Sequence, residues 1–174
     1  MTTIASNLQA ERTAIGVATS QSARRPNEVT LLAVSKNFAA NSLREAYQAG
    51  QHCFAENYVQ EALDKMTALR DLTIAWHFIG PIQSNKTRAI AENFAWVHSV
   101  DRLKIAQRLS EQRPATMPPL QICLQVNISH EASKGGVEPD ELPSLACAFA
   151  KLPNLQLRGL MAIPAPSEDV VIQR

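Results

Sequence analysis

Hydrophobic residues along this chain fall into two alternating patterns, short apolar runs and longer amphipathic stretches. The first four apolar runs begin at positions 30, 52, 74 and 96, which is one run about every 22 residues, a spacing typical of repeated βα units. Such units build a parallel sheet, because a parallel connection needs a crossover that is usually a helix. The predicted strands are Thr30–Lys36, His52–Asn57, Ile74–Gly80, Trp96–Val100, Leu120–Ile128 and Leu155–Ile163.

The stretches between the apolar runs have the 3.6-residue periodicity of helices. An additional amphipathic helix is expected over about residues 3–20, packed outside the main core. Ser42 and Glu45 have the spacing of a capping box at the start of the next helix, and Gly50 is placed to end it. Asp101 is placed to cap a later helix. The remaining predicted helices are Val59–Leu69, Ser84–Asn93, the Asp101-capped helix to Gln112, and Pro139–Leu152.

The fifth predicted strand indicates which kind of parallel sheet is present. One face carries Leu120, Ile122, Leu124, Val126 and Ile128, and the other carries Gln121, Cys123, Gln125 and Asn127. An open doubly wound sheet is covered by helices on both faces, so both faces should be apolar. A (β/α)-barrel has helices outside and a lumen inside, and no G-x-G-x-x-G follows the first strand to favour a dinucleotide-binding fold. We therefore predict an α/β fold of TIM (β/α)8-barrel type, one domain over 1–174 that contains about six of the eight units.

Composition excludes several classes of partner and location. The formal net charge is +1 and no basic run is interleaved with aromatics, which argues against nucleic acid and anionic membranes as partners. Cys53, Cys123 and Cys147 form no CxxC pair, so we expect buried free thiols and no metal site. The chain shows no signal peptide and no membrane-spanning apolar run. A cytoplasmic protein is the expectation.

Candidate functional residues are sought at the carboxyl ends of the strands, where barrels place their active sites. They are Lys36, Asn57, Gly80–Pro81, Asn127 and Met161–Pro164. Lys36 ends a very apolar strand, TLLAVSK, and two readings stay open. Its stem could leave the sheet and extend the ammonium into water, or its apolar surroundings could favour the neutral amine, which condenses with an aldehyde to a Schiff base.

The other candidates also have two readings each. Asn57 is either a turn residue or a hydrogen-bond partner for a ligand, and His77 is either a core histidine or a catalytic one. Ser84 either caps a helix or opens an anion site. The segment 134–136 is a mobile loop or a lid. Met161 either packs on the helix-facing side of its strand, as alternation with Leu155 and Leu157 suggests, or lines a flat ligand.

Four stretches together carry a family resemblance: TLLAVSK, FAENYVQEALDK, WHFIGPIQSNK and LRGLMAIPAP. They resemble the YggS/PROSC family of pyridoxal phosphate homeostasis proteins, over about Val29 to Pro166. The resemblance implies the barrel fold of the alanine racemase N-terminal domain and pyridoxal 5′-phosphate (PLP) as cofactor. It implies a Schiff base between PLP and Lys36, with Asn57 near the cofactor ring and with His77 and Met161 lining the same site.

Two departures from the family pattern change what is expected. Ala55 stands where the family has the glycine of G-E-N-Y, and the family's G-M-S-x-D and R-x-G-x-x-x-F-G segments do not occur in this sequence. Because those segments resemble a phosphate cup and an arginine facing the pyridine nitrogen, we expect weaker phosphate anchoring. The implied function is intracellular PLP homeostasis without a catalytic residue, as a monomer that passes PLP to apo-enzymes. A PLP-dependent racemase or lyase, or an inert fragment, is the alternative.

Overall fold

The computed structural model alternates helices with parallel strands, and it describes residues 3–25, 27–129, 135–166 and 168–169. The chain divides into two compact units, residues 1–76 and 77–174, and the boundary falls within the third strand. The prediction of a single domain stays a prediction. Among the described helices none is long and apolar enough to cross a membrane.

Unit 1 contains the first two strands and three helices. Its elements are α1 (Ile4–Gln21), β1 (Ala33–Val34), α2 (Ala40–Gln48), β2 (Cys53–Glu56), α3 (Val59–Ala68) and the start of β3 (Ala75–Phe78). β1 pairs with β2 in parallel, with Ala33 opposite Phe54 and Val34 opposite Ala55. β3 joins on the other side of β2, where the Ala75 N–H donates to the His52 carbonyl at 2.9 Å. β2 therefore lies between β1 and the start of β3 in this unit.

The C-terminus of α2 is a Schellman motif, as Gly50 predicts. Gly50 has a φ of 85°, and its N–H donates to the Tyr47 carbonyl at 2.8 Å, while the Gln51 N–H donates to the Ala46 carbonyl at 3.0 Å. A positive φ at this position favours glycine, because a Cβ crowds the following carbonyl. The N-terminus differs from expectation. The helix begins at Ala40, so Ser42 lies inside it, and the predicted capping box of Ser42 is wrong.

β1 is shorter and less buried than its apolar sequence predicts. Val34 is 46% exposed, and the strand ends two residues before Lys36. One reason is that the Gln51 side-chain amide donates to the carbonyl oxygens of Leu31 (2.8 Å) and Cys53 (2.7 Å). This side chain occupies backbone acceptors that a longer strand would use for its ladder.

Unit 2 contains the rest of the sheet and three more helices. After β3 come α4 (Thr87–Asn93), β4 (Trp96–Val100), α5 (Leu103–Gln112), β5 (Leu120–Val126), α6 (Leu142–Phe149) and β6 (Leu155–Ala162), with single 3₁₀ turns at Ser84–Lys86 and Pro139–Glu141. Its strands pair in parallel in the order β3, β4, β5, β6. On the face of β5 predicted to contact helices, Leu120, Ile122, Leu124 and Val126 are buried, as expected. Ile128, predicted on the same face, lies beyond the strand and is 48% exposed.

Two expectations, one about a helix cap in unit 2 and one about the cysteines of the chain, are wrong. α5 begins at Leu103 with Arg102 as its N-cap residue and no side-chain capping bond, so Asp101 lies one position too early to cap it. All three cysteines are free, but Cys147 is exposed on α6 and Cys53 is half-buried in unit 1; Cys123 is the buried one. Burial raises the pKa of the Cys123 thiol.

An irregularity between β5 and β6 determines where Met161 points. Ile122 pairs with Leu157, but Leu124 pairs with Leu160, so β6 contains one extra residue between these pairs. Such a bulge transfers every later side chain to the opposite face. Met161 therefore pairs with Gln125, and the expectation that it shares a face with Leu155 and Leu157 is wrong. Leu160, which is 59% exposed, takes that face instead.

Candidate functional site

Lys36 lies in a hydrogen-bonded turn at the carboxyl end of β1. The Ser35 carbonyl accepts the Phe38 N–H at 3.1 Å, which makes Lys36 the second residue of a four-residue turn. Asn37, the third, has a φ of 65°, the conformation that a type II turn requires there and that asparagine tolerates better than most residues. The Lys36 side chain is exposed and makes no hydrogen bond or ion pair with any described residue. The turn thus presents a free primary amine.

A buried cluster of charges lies beside this turn. The Lys65 ammonium, on α3, donates to the Ser35 carbonyl (2.6 Å), to Glu56 Oε1 (2.7 Å) and to Glu61 Oε1 (2.7 Å). Glu56 is fully buried and Lys65 is 6% exposed. The Ser35 hydroxyl also donates to Glu56 Oε1, at 2.6 Å. Two carboxylates therefore surround one ammonium, and the Lys65 hydrogen bond lowers the pKa of Glu61.

Asn57 directly follows β2, the strand that pairs with β1. Lys36 and Asn57 therefore both lie at the carboxyl ends of adjacent strands, each two positions beyond the paired residues Val34 and Ala55. Ala55 is fully buried, and the Asn57 amide oxygen is buried without a hydrogen-bond partner among the described residues. A buried acceptor without a partner is costly in a folded protein. The carboxyl end of β2 therefore carries an unused polar group, on the strand adjacent to the one that precedes Lys36.

His77 belongs to unit 2 and lies in a stacked aromatic group. Its ring is 8% exposed, its Nδ1 lies 2.8 Å from His98 Nε2, and both rings stack on Trp96. Burial, with a contribution from His98, lowers the pKa of His77 to about 4, and burial lowers the pKa of His98 as well. Both imidazoles are therefore neutral at pH 7.

Met161 and His77 lie near the carboxyl ends of their own strands but in different rows of the unit 2 register. His77 pairs with Trp96 and Trp96 with Gln121, whereas Met161 pairs with Gln125. These two rows are separated by four residues of β5, or about 13 Å along the strand. The Gln125 amide donates to the Gly135 carbonyl at 2.9 Å, so the residue that pairs with Met161 also contacts Gly135.

The described residues that precede the 3₁₀ turn at Pro139 are hydrogen-bonded to the end of β5. The Val137 N–H donates to the Gln125 carbonyl and the Asn127 N–H donates to the Val137 carbonyl, both at 2.9 Å. Gly135 and Gly136 therefore lie against the end of β5, and the expectation of a mobile loop or lid over 134–136 stays a prediction. Lys134, the first residue of the predicted loop, lies outside the described residues.

Sequence reasoning missed Lys65 and Glu56. A signal for Lys65 was present, because it lies at helical spacing from Ala62 and Leu69, both of which are buried. A lysine on an apolar stripe implies an internal partner. Glu61 also stands four residues before Lys65, the spacing of a helical ion pair. Among the described residues no group of three histidine, cysteine or acidic side chains is arranged to hold a metal ion.

The family model for the alanine racemase N-terminal domain matches residues 7–172. The pyridoxal phosphate homeostasis protein of Pseudomonas aeruginosa is 61% identical over 173 residues, which cover 99% of this chain and 75% of the relative. The protein of the same name from Escherichia coli K12 is 53% identical, with the same coverage. This chain belongs to the pyridoxal phosphate homeostasis protein family. It spans 75% of the length of these family members.

Solved structures confirm the fold expected of this family. PipY from Synechococcus elongatus PCC7942, solved with PLP bound, is 40% identical with a TM-score of 0.77, over 91% of this chain and 72% of PipY. Alanine racemase from Bacillus anthracis, 19% identical with a TM-score of 0.60 over 89% of this chain and 39% of the racemase, shows the same fold. The chain therefore has an α/β fold of partial (β/α)-barrel type, as the strand pattern predicts.

Proposed function

We propose that this chain binds pyridoxal 5′-phosphate through a Schiff base on Lys36 and that it serves PLP homeostasis. The observation that carries the proposal is that an exposed, unengaged Lys36 amine and the partnerless buried amide oxygen of Asn57 lie at the carboxyl ends of the adjacent strands β1 and β2. Relatives named for PLP homeostasis and a PLP-bound PipY structure support the choice of cofactor.

The residues present fit such a ligand. Bound PLP supplies an aldehyde that condenses with a primary amine, and its ring carries polar groups that hydrogen-bond side chains. Lys36 provides the amine from a turn that fixes its backbone. Asn57 provides the buried acceptor that has no protein partner in the described residues. His77 and Met161 stay predictions that rest on the family resemblance.

The proposal is for binding rather than turnover. The relatives are named for homeostasis, and the racemases that share the fold are less than 20% identical. We infer that the chain acts as a cytoplasmic monomer that holds the reactive aldehyde and passes it to apo-enzymes. The net charge of +1 favours neither nucleic acid nor a membrane as a partner.

The assignment of Lys36 is tested by trapping. PLP is added to the wild type, to Lys36→Ala and to Lys104→Ala, which removes an exposed lysine on α5. After borohydride reduction, peptide mass mapping should locate the adduct on Lys36 in the wild type and in Lys104→Ala, and the visible imine absorbance should be absent in Lys36→Ala. An adduct that persists at another lysine would disprove the assignment.

The absence of turnover is tested separately. The PLP-loaded protein is incubated with L- and D-amino acids, and chirality and keto-acid formation are followed against free PLP as the background. We expect rates no higher than those of free PLP. A rate well above that background would favour the racemase or lyase alternative.

A further inference from the structure

Both peptide groups that flank Lys36 are connected to one side chain, Lys65. On the preceding side the Lys65 ammonium donates directly to the Ser35 carbonyl at 2.6 Å. On the following side Glu61 Oε1 accepts both the Asn37 N–H and the Lys65 ammonium, each at 2.7 Å. The backbone on either side of Lys36 is therefore fixed to α3, while the Lys36 side chain itself stays exposed.

The Glu56 carboxylate adds a second connection on the preceding side. Its Oε1 accepts the Lys65 ammonium at 2.7 Å and the Ser35 hydroxyl at 2.6 Å. Hydrogen bonds to charged partners are stronger and more directional than neutral ones. Three charged groups thus bond three atoms of the four-residue turn, the Ser35 carbonyl, the Ser35 hydroxyl and the Asn37 N–H, in addition to its own 3.1 Å turn bond.

Stability alone does not account for this arrangement. Transferring an ammonium and a carboxylate out of water costs several kcal/mol each, and well-packed apolar residues usually replace such buried pairs without loss. Lys65 lies on the buried stripe of α3 between Ala62 and Leu69, where methionine or leucine would pack. The buried charge is therefore better explained by its hydrogen bonds to the turn that bears Lys36.

We propose that Lys65 is a positioning residue for Lys36: through the Ser35 carbonyl, Glu56 and Glu61 it fixes the backbone from which the PLP-bonding amine extends. This inference rests on the proposed function. An imine forms only when the amine meets the aldehyde in one geometry, so a fixed backbone reduces the entropy lost on bond formation. Ligands that bind without forming an imine should be insensitive to it.

The test compares two ligands on matched variants of the chain. PLP forms the imine, whereas pyridoxine 5′-phosphate has an alcohol in place of the aldehyde and cannot. Glu61→Ala breaks the connection to Asn37 at a partly exposed position, and Lys65→Met breaks all of them. Glu111→Ala and Lys104→Met make the same changes at exposed residues of α5. Circular dichroism and thermal unfolding identify any variant that does not fold.

In Glu61→Ala we expect the affinity for PLP to fall about tenfold, the loss of roughly one hydrogen bond to a charged group, and the rate of imine formation to fall with it. Affinity for pyridoxine 5′-phosphate should stay unchanged, as should both affinities in the two controls. Lys65→Met should show a larger loss for PLP in the same direction. If it does not fold, Glu61→Ala alone decides the question.

Two results would overturn the inference while leaving the proposed function intact: an unchanged PLP affinity in Glu61→Ala, or equal losses for the two ligands, which would mean a structural role. Borohydride trapping in the wild type tests the remaining case, in which the proposed function itself fails. An adduct on a lysine other than Lys36 would reject the proposed function, and this inference with it.

Discussion

His77 and His98 share a hydrogen bond of 2.8 Å between Nδ1 of the first ring and Nε2 of the second. Burial lowers the pKa of both rings, that of His77 to about 4. Below about pH 6.5, the ordinary value, the unfolded chain binds more protons than the folded chain. We therefore expect the free energy of unfolding to fall from pH 6.5 towards pH 4, by up to about 1.4 kcal/mol per pH unit from His77, with a contribution of the same sign from His98. Urea unfolding at pH 7, 6 and 5 measures it.

His77→Asn should flatten this dependence, since asparagine does not titrate. His52→Asn, at an exposed histidine in unit 1, should leave the dependence as it is. Asp71 does not interfere with this measurement. The Arg44 ion pair lowers the pKa of its carboxyl to about 2, so the stability that this ion pair provides is lost at lower pH. The same slope in wild type and His77→Asn would show that the histidine pair does not control it.

Periodicity alone predicted the elements whose boundaries depend on local sequence. β4 was predicted at its observed bounds, Trp96–Val100, and α3 within one residue. Gly50 was assigned correctly because a positive φ leaves few alternatives. Ser42 and Asp101 were misassigned because capping depends on where the helix starts, and that is set by tertiary packing to within a residue or two.

The alternation of apolar and polar residues could not predict features that depend on contacts between distant parts of the chain. The extra residue in β6 reverses the direction of Met161, and nothing in the sequence between Leu157 and Leu160 marks it except a glycine. Lys36 was predicted as the candidate amine, but the hydrogen bonds of Lys65 that hold its turn were not predicted. Lys65 reaches Ser35 across 30 residues of sequence, so that contact becomes visible when α3 packs beside the end of β1.

Gly136 is expected to be irreplaceable, whereas its neighbour Gly135 is not. Gly136 has a φ of 128°, and a Cβ there would lie 2.6 Å from the Asn127 nitrogen and 2.7 Å from the Val126 carbonyl carbon. Gly136→Ala should therefore lower the free energy of unfolding by about 2 kcal/mol or more, from steric overlap and backbone strain. Thermal and urea unfolding measure the change.

Gly135→Ala is the matched control, because its Cβ would lie at ordinary contact distances of 3.6 Å from Asp101 and 3.7 Å from Gln125. We expect a change within about 0.5 kcal/mol there. Equal effects of the two substitutions would mean that the close approach of Gly136 to β5 does not constrain the fold.

Arg113 is expected to stabilise unit 2 through backbone carbonyls. Its side chain is buried and donates to the carbonyl oxygens of Ala91 (2.6 Å), Phe94 (2.8 Å) and Pro118 (2.9 Å). Burial lowers the pKa of its guanidinium, which still carries its charge at pH 7. Arg113→Met leaves these acceptors without their donor, and we expect a loss of about 3 kcal/mol in the free energy of unfolding.

Arg88→Met is the control, at an exposed arginine paired with Glu92, and it should lower the free energy of unfolding by less than about 1 kcal/mol. Similar losses in the two variants would contradict the role given to Arg113.

Asn57 is expected to oppose stability and favour binding. Its amide oxygen is buried without a partner in the part of the chain that the structure describes, so the chain without ligand bears a desolvation cost there. Asn57→Leu has a similar size and lacks the polar group. We expect it to raise the free energy of unfolding by about 1 kcal/mol without ligand, and to weaken PLP affinity by about tenfold, the equivalent of one hydrogen bond.

Both quantities come from one experiment, thermal unfolding of the wild type and Asn57→Leu with and without PLP, because a ligand that binds the folded state raises its melting temperature. Asn7→Leu, at an exposed asparagine of α1, controls for the added apolar surface and should change neither quantity. The two expected shifts have opposite signs, which a general effect on folding cannot produce. If Asn57→Leu instead destabilises the ligand-free chain, the amide has a structural partner, and its role as a group kept free for PLP would be rejected.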